Sequence, residues 1–183
     1  MASTYLTKSF ASSGNRKKFT FSMWVKRGNI TNSFTMFSQH YSSNNNNSYI
    51  GFNSDDTLSF WSYSSSYQMN LKTSAKYRDT NGWYHIVCVA DTEQATSSNR
   101  AKLYVNGEEP TLGTATYPSQ NLDLNFNSDE TQQIGIYRYG SSNYYFYDGC
   151  LSHFHFTDGY AYAASDFGET DATTGEWKIK TSP

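Results

Sequence analysis

A chain of 183 residues with a formal net charge of −2 has room for one domain with a substantial core. It lacks the basic footprint of a nucleic-acid binder, because its longest cationic run is Arg16-Lys17-Lys18. No stretch of about 18 apolar residues offers a membrane span, and Met1-Ala2-Ser3-Thr4 leads into patterned sequence with no signal-peptide core, so a soluble protein is expected.

Charged residues are only 16% of the chain while aromatic residues reach 17%, with 16 Tyr and 12 Phe. Ser, Thr and Asn fill the place of the missing charges, a mixture that favours pleated strands and turns over helix. In chain order, Phe19-Thr20-Phe21-Ser22-Met23-Trp24-Val25-Lys26 alternates apolar with polar residues and predicts a half-buried strand, with Trp24 in the core. Shorter strands are predicted over Phe34–Gln39, Tyr49–Phe52 and Leu58–Trp61. Ser42-Ser43-Asn44-Asn45-Asn46-Asn47 and Asn53-Ser54-Asp55-Asp56 separate them as loops.

Trp83 to Ala90 is almost continuously apolar, which predicts a central strand covered on both faces, with Trp83 buried. Lys102-Leu103-Tyr104-Val105 runs into Asn106-Gly107, the strongest hairpin signal in the chain, since both positions of a type I′ turn need positive φ. Further strands are predicted over Gln133–Tyr137, Tyr144–Tyr147 and Leu151–Phe156, and only Ala161–Phe167 reads as helix, briefly. No window sustains a helical apolar period and no repeat of 20 to 50 residues is present, so the expected class is all-β and antiparallel. Cys88 and Cys150 are the only cysteines, and their spacing leaves open two free thiols or one bridge.

Gly82-Trp83-Tyr84-His85-Ile86-Val87-Cys88-Val89, Leu103-Tyr104-Val105-Asn106-Gly107, Ile134-Gly135 and Phe146-Tyr147-Asp148-Gly149-Cys150-Leu151, taken in that order, resemble laminin G-like and pentraxin-like domains of the concanavalin A type. Phe156-Thr157-Asp158-Gly159, Ser165-Asp166-Phe167-Gly168-Glu169-Thr170-Asp171 and Gly175-Glu176-Trp177-Lys178 are similar to such domains in structural proteins of marine phages. So is the opening segment from Gly14 to Lys18 with Phe21 to Arg27. The resemblance implies a two-sheet antiparallel jelly-roll sandwich over residues 1–183, one laminin G-like domain that a longer fibre or surface protein would contain. It also implies display on a virion surface, with function in the loops and on the concave sheet. No activity follows from it, because one fold hosts many functions.

Glucanases of this architecture need carboxyl pairs about 5 to 5.5 Å apart, and no Glu-x-Asp-x-x-Glu pattern occurs. Gln132-Gln133-Ile134 and Tyr137-Arg138-Tyr139 resemble the strands of related alginate lyases only superficially, so no enzymatic activity is expected. Glu108-Glu109 reads as a solvated pair, and His85, His153 and His155 as buried or surface-satisfied histidines, the last two on one strand face. Asp55-Asp56 before Leu58-Ser59-Phe60-Trp61 resembles the acidic calcium ligands of pentraxin-like domains. The second ligand group should follow Ile134-Gly135, where Ile136-Tyr137-Arg138-Tyr139 supplies no carboxylate. No other cofactor is expected.

The remaining candidates are aromatic: Trp61, Tyr63 and Tyr67, and the tyrosines around Gly140-Ser141-Ser142-Asn143. Tyr offers an apolar face and a hydroxyl at low conformational cost. Tyr137, Tyr139 and Tyr144 as stacking surface, with Arg138 and Asn143 as donors, are the expected ligand contacts, joined by Trp61 and Tyr63. The expected partner is a glycan or another surface ligand. The alternatives are a spacer, decoration or oligomerisation domain meeting other virion proteins or its own copies, and a degenerate polysaccharide-active enzyme.

Overall fold

The computed structural model describes residues 4–40 and 45–180. Its strands are β1 (Leu6–Ser9), β2 (Lys18–Arg27), β3 (Phe34–His40), β4 (Asn46–Phe52), β5 (Thr57–Ser64), β6 (Ser66–Lys76), β7 (Tyr84–Asp91), β8 (Ala101–Val105), β9 (Leu112–Thr116), β10 (Thr131–Ile134), β11 (Tyr137–Tyr139), β12 (Ser142–Tyr144), β13 (Gly149–Asp158), β14 (Gly168–Thr170) and β15 (Trp177–Ile179). A seven-stranded sheet in the order β1-β10-β3-β4-β5-β6-β9 packs on a four-stranded sheet in the order β13-β2-β7-β8. Every pairing is antiparallel. The sandwich is all-β, as the composition and alternation predict, and the helical content of the described residues is single 3₁₀ turns such as Ala164–Asp166.

Period-two alternation builds the core. Phe19, Phe21, Met23 and Val25 of β2 point inward with Ile86, Cys88 and Ala90 of β7, and meet Ile50, Phe52, Leu58, Phe60, Met69 and Leu71 of the larger sheet. Phe21 lies 4.5 Å, centroid to centroid, from both Phe37 and Phe156. Each such side chain stabilises by about 1.5 to 3 kcal/mol through burial. The opposite face of β7 is apolar too: Val87 and Val89 pack with Ala164 and Phe167 of the C-terminal segment. That double cover is what the unbroken apolar run anticipates.

The two sheets are also joined by charge. Arg27, at the end of β2, and Asp56, in the turn between β4 and β5, are fully buried and 3.0 Å apart. The Arg27 guanidinium lies 4.4 Å from the centroid of Phe52 and donates to the Tyr77 carbonyl. Asp56, at φ +67°, also accepts from the Thr31 amide at 2.8 Å and from Arg78 Nε at 2.8 Å. Burial alone would raise the Asp56 carboxyl, but the Thr31 amide and the two guanidiniums outweigh it and hold the group below its ordinary value.

Several expectations are corrected. Trp83 precedes β7 and is 41% exposed, whereas Trp24 is 8% exposed; alternation ends where β7 begins, so no sheet covers Trp83. Asn106 and Gly107 do take φ +51° and +86°, yet the hairpin is a single bridge, Val105 to Glu108, because the chain then crosses to pair β9 with β6. Asn46 and Asn47 belong to β4 and not to a loop, while Ser42, Ser43 and Asn44 lie outside the described residues. A bulge between Ser152 and His155, with His153 at φ +48°, interrupts the pairing of β13, yet Phe154 and Phe156 pack on the core and His153 and His155 both face the same outer hollow, as expected.

Replacing Asp56 by Ala leaves Arg27 buried and unpaired and should cost about 3 to 5 kcal/mol, measured as a fall in the denaturation midpoint with unchanged slope. Trp24→Ala should cost ~3 to 5 kcal/mol, and Trp83→Ala less than about 1 kcal/mol. Equal losses for the two tryptophans would contradict the observed difference in burial.

Candidate functional site

On the outer face of the seven-stranded sheet, register places Tyr49 beside Trp61 and Asn47 beside Tyr63. Tyr49 and Trp61 stack at 5.3 Å and 16°, and Tyr67 meets Trp61 edge-on at 5.8 Å and Tyr63 at 5.3 Å. The β11–β12 hairpin adds the second half of the cluster. Tyr137 sits edge-on to Trp61 at 6.1 Å and to Tyr49 at 5.9 Å, and stacks on Tyr145 at 5.9 Å. Tyr144 lies 6.0 Å from Tyr145. Thr35 N donates to the Tyr145 carbonyl at 2.9 Å, fastening the returning chain to β3. Two aromatic groups more than sixty residues apart in sequence therefore form one patch.

Tyr49 is the buried floor of this patch, while Tyr67, Tyr144 and Tyr145 are 51%, 44% and 49% exposed. Burial pushes the Tyr137 hydroxyl up to about 12, helped by Tyr145, and raises Tyr49 as well. Both hydroxyls stay protonated at neutral pH and keep donor and acceptor capacity.

The expected ligand residues are only partly brought together. Trp61, Tyr63, Tyr137 and Tyr144 share the patch. Tyr139 is half exposed beside it. Arg138 pairs in register with Asn143, alternating with the Tyr137–Tyr144 pair, so strand periodicity turns these two donors to the other side of the hairpin. The Arg138 guanidinium donates to the Gly140 carbonyl at 3.2 Å. Its charge, after burial, is the second cause that lowers the His40 imidazole. The turn itself is shorter than the expected tip, since Ser142 and Asn143 are already strand. Tyr145, one of the tyrosines around Gly140 but not among the expected contacts, joins the patch, and Tyr49 is the member that sequence reading missed, although the alternation Tyr49, Gly51 against Ile50, Phe52 was an available signal.

The calcium expectation does not fit. Asp56 is enclosed by Arg27 and Arg78, and Asp55 is held well below the carboxylate range, at about 2, by Lys72 and the Thr57 hydroxyl. Among the described residues no cluster of three or more His, Cys, Asp or Glu side chains is arranged to hold a metal ion. The acids before Leu58 are structural counter-ions. Cys88 is buried and Cys150 exposed, and both are free thiols.

The outer face of the four-stranded sheet carries a second set of aromatics. Trp24 stacks on His85 at 4.9 Å, and Trp177 of β15 donates from Nε1 to His85 Nδ1 at 2.9 Å. With Nδ1 accepting, the neutral ring carries its proton on Nε2 and donates to Ser22 Oγ at 2.8 Å. Trp24, Trp83, Ser152, Trp177, Lys178 and Ile179 line a hollow of about 290 Å³. Sequence reading placed His85 in a core strand but not under this hollow.

This architecture, two antiparallel sheets whose outer faces carry aromatic platforms, defines a lectin-like β-sandwich. A family model described as the concanavalin A-like lectin/glucanases superfamily matches residues 2–166, and the chain belongs to that family. No curated protein matches it. Among solved structures, it is similar to the native heptameric SAP-like pentraxin of Limulus polyphemus, at 16% identity and TM-score 0.63 over 96% of this chain and 85% of that one. It is also similar to the CBM40 of a Ruminococcus gnavus IT-sialidase, solved with α2,3-sialyllactose, at 13% identity and TM-score 0.60 over 87% and 95%. A third is domain 4 of an extracellular GH43 arabinanase from Geobacillus stearothermophilus, in complex with arabinotriose, at 20% identity and TM-score 0.57 over 85% and 65%. No helix among the described residues is long and apolar enough to cross a membrane.

His85 makes the C-terminal hairpin sensitive to acid. Burial, with His155 nearby, lowers its imidazole from 6.5 to about 4. Above pH 6.5 it is neutral whether folded or unfolded, so its contribution to stability is fully present there. Between pH 6.5 and 4 the unfolded chain takes up a proton that the folded chain does not, and up to about 3 kcal/mol is lost. Denaturation midpoints at pH 7 and pH ~4.5 should therefore differ less in His85→Gln than in the parent.

Proposed function

We propose that this domain is a non-enzymatic carbohydrate-binding module that takes a glycan on the aromatic patch of its seven-stranded sheet. The observation that carries this reading is the convergence of Trp61, Tyr63 and Tyr67 with Tyr137, Tyr144 and Tyr145 on one exposed face. Ring faces there can stack on a pyranose and the hydroxyls can bond its polar edge. Carbohydrate complexes of the similar sialidase and arabinanase domains support the ligand class. The named patch residues include no carboxylate, so the patch offers no acid and nucleophile pair for glycoside hydrolysis. Display on a phage particle, within a longer fibre or surface protein, belongs to the same reading through the sequence resemblance.

A second reading, a module that joins neighbouring copies, is favoured by the edge strand β1. There Tyr5 and Leu6, 42% and 66% exposed, line a hollow of about 490 Å³ with Ile134, Phe146 and Phe154, and Phe10, 44% exposed, lines another of about 290 Å³. Exposed apolar surface of that kind marks contacts. Solution mass of the free protein separates the two readings.

On a glycan identified by array screening, Trp61→Ala and Tyr137→Ala should each weaken binding about tenfold, equivalent to ~1.4 kcal/mol, while both variants remain folded by circular dichroism. Arg138→Ala should change affinity less than threefold or so. If the two aromatic variants bind as tightly as the parent, the patch is not the site.

A further inference from the structure

We propose that the outer face of the four-stranded sheet holds a second, separate saccharide site, shaped for an oligosaccharide that carries an acidic group. Trp24, Trp83 and Trp177, three of the chain's four tryptophans, line a single hollow there. Trp83 is 41% exposed, which leaves part of its indole open at the hollow. Its two companions are held rigidly. Trp24 is stacked on His85 at 15°, and His85 on Trp177 at 6.0 Å and 20°. A Cβ at Gly107 would lie 2.6 Å from the Trp177 ring and one at Gly168 2.4 Å, so the indole fits a slot that only glycine leaves open on either side. A platform fixed in advance loses little conformational entropy when a sugar ring stacks on it.

A second hollow of about 260 Å³ shares Trp24 and Ile179 with the first, and there Ser22, His153, His155 and Lys180 supply polar atoms. Two adjoining hollows suit a chain of sugar rings better than a single ring. Among the described residues no carboxylate lines either of them. Lys178 is already balanced by Asp171 at 3.0 Å and Glu169 at 3.6 Å. Lys180 is different: its ammonium donates to the Ser165 carbonyl at 3.2 Å and has no carboxylate partner among the described residues. A cation with no carboxylate partner among the described residues, at the polar end of hollows lined by indole faces and by no described carboxylate, is complementary to a sugar carboxylate or sulfate ester. This site lies on the opposite outer face from the Trp61 patch and does not depend on the reading of that patch.

The test uses the full chain and three tetrasaccharides followed by calorimetry: a tetrauronate, a sulfated galactan and neutral laminaritetraose. At least one acidic probe should bind about tenfold more tightly than laminaritetraose. Trp83→Ala should weaken that binding about tenfold, and Lys180→Gln should remove the preference for the acidic probe; Trp61→Ala should leave it unchanged. Whichever acidic probe binds distinguishes carboxylate from sulfate recognition. The proposal is overturned if neither acidic probe binds, if laminaritetraose binds as well as they do, or if Trp83→Ala matches the parent. Loss of acidic binding in Trp61→Ala but not in Trp83→Ala would assign the ligand to the other face, overturning this site and leaving the first one standing.

Discussion

The buried pair of Arg27 and Asp56 is the constraint around which one end of the sandwich is organised. Hydrophobic burial holds two sheets together without directing how they meet, since it scales with area and has no angular preference. An ion pair at 3.0 Å between fully buried partners is directional. It ties the last residue of β2 to the β4–β5 turn, and the Tyr77 carbonyl and the Thr31 amide extend the network to two further segments. Desolvation makes such a pair expensive to assemble, and removal of one partner more expensive still. The same two acids that look like metal ligands in a linear sequence are therefore committed to the fold: Asp56 to two arginines, and Asp55 to Lys72.

With the sheets held in this relation, the inner faces are filled mainly by Phe, Met, Ile and Leu, with Tyr77, Tyr84, Tyr117 and Tyr147 packed at their margins. The chain carries more Tyr and Trp than the core accepts, and two groups of them gather on the outer faces. One is the outer face of the larger sheet, where β11 and β12 lay tyrosines over Trp61. The other is the outer face of the smaller sheet, where the C-terminal hairpin lays Trp177 against His85 and Trp24. In both, a short hairpin that pairs with no strand of the main sheets completes the surface. Function in a β-sandwich is commonly carried by such appended segments because they are free to vary while the packed sheets are not.

The two surfaces differ chemically. The Trp61 patch is built from tyrosines, and strand periodicity turns Arg138 and Asn143 away from it. The tryptophan groove instead runs toward a lysine without a carboxylate partner among the described residues. The two proposed sites lie on opposite faces, so together they would give multivalent contact, which raises avidity without stronger individual sites.

Much of this was legible in the chain itself. Alternation of period two located β2, β3, β5 and β8, and the unbroken run from Tyr84 located a strand covered on both faces. These are local signals, set by which side of a pleat each residue occupies. β6 was readable by the same rule, since Met69, Leu71 and Thr73 are buried between exposed or half-buried neighbours, but its polar residues mask the pattern. The aromatic candidates around Trp61 and Tyr137 were also visible as residue types. What only the tertiary structure decided is which of them meet. Sheet order inserts β10 beside β3 and folds β11 over β4 and β5, and that long-range pairing joins the two tyrosine groups and excludes Arg138. The same dependence on partners distant in sequence exposes Trp83, buries Asp56 against Arg27 and seats Trp177 on His85. Periodicity assigns a face to each side chain, but only the packing of one strand on another determines what that face touches.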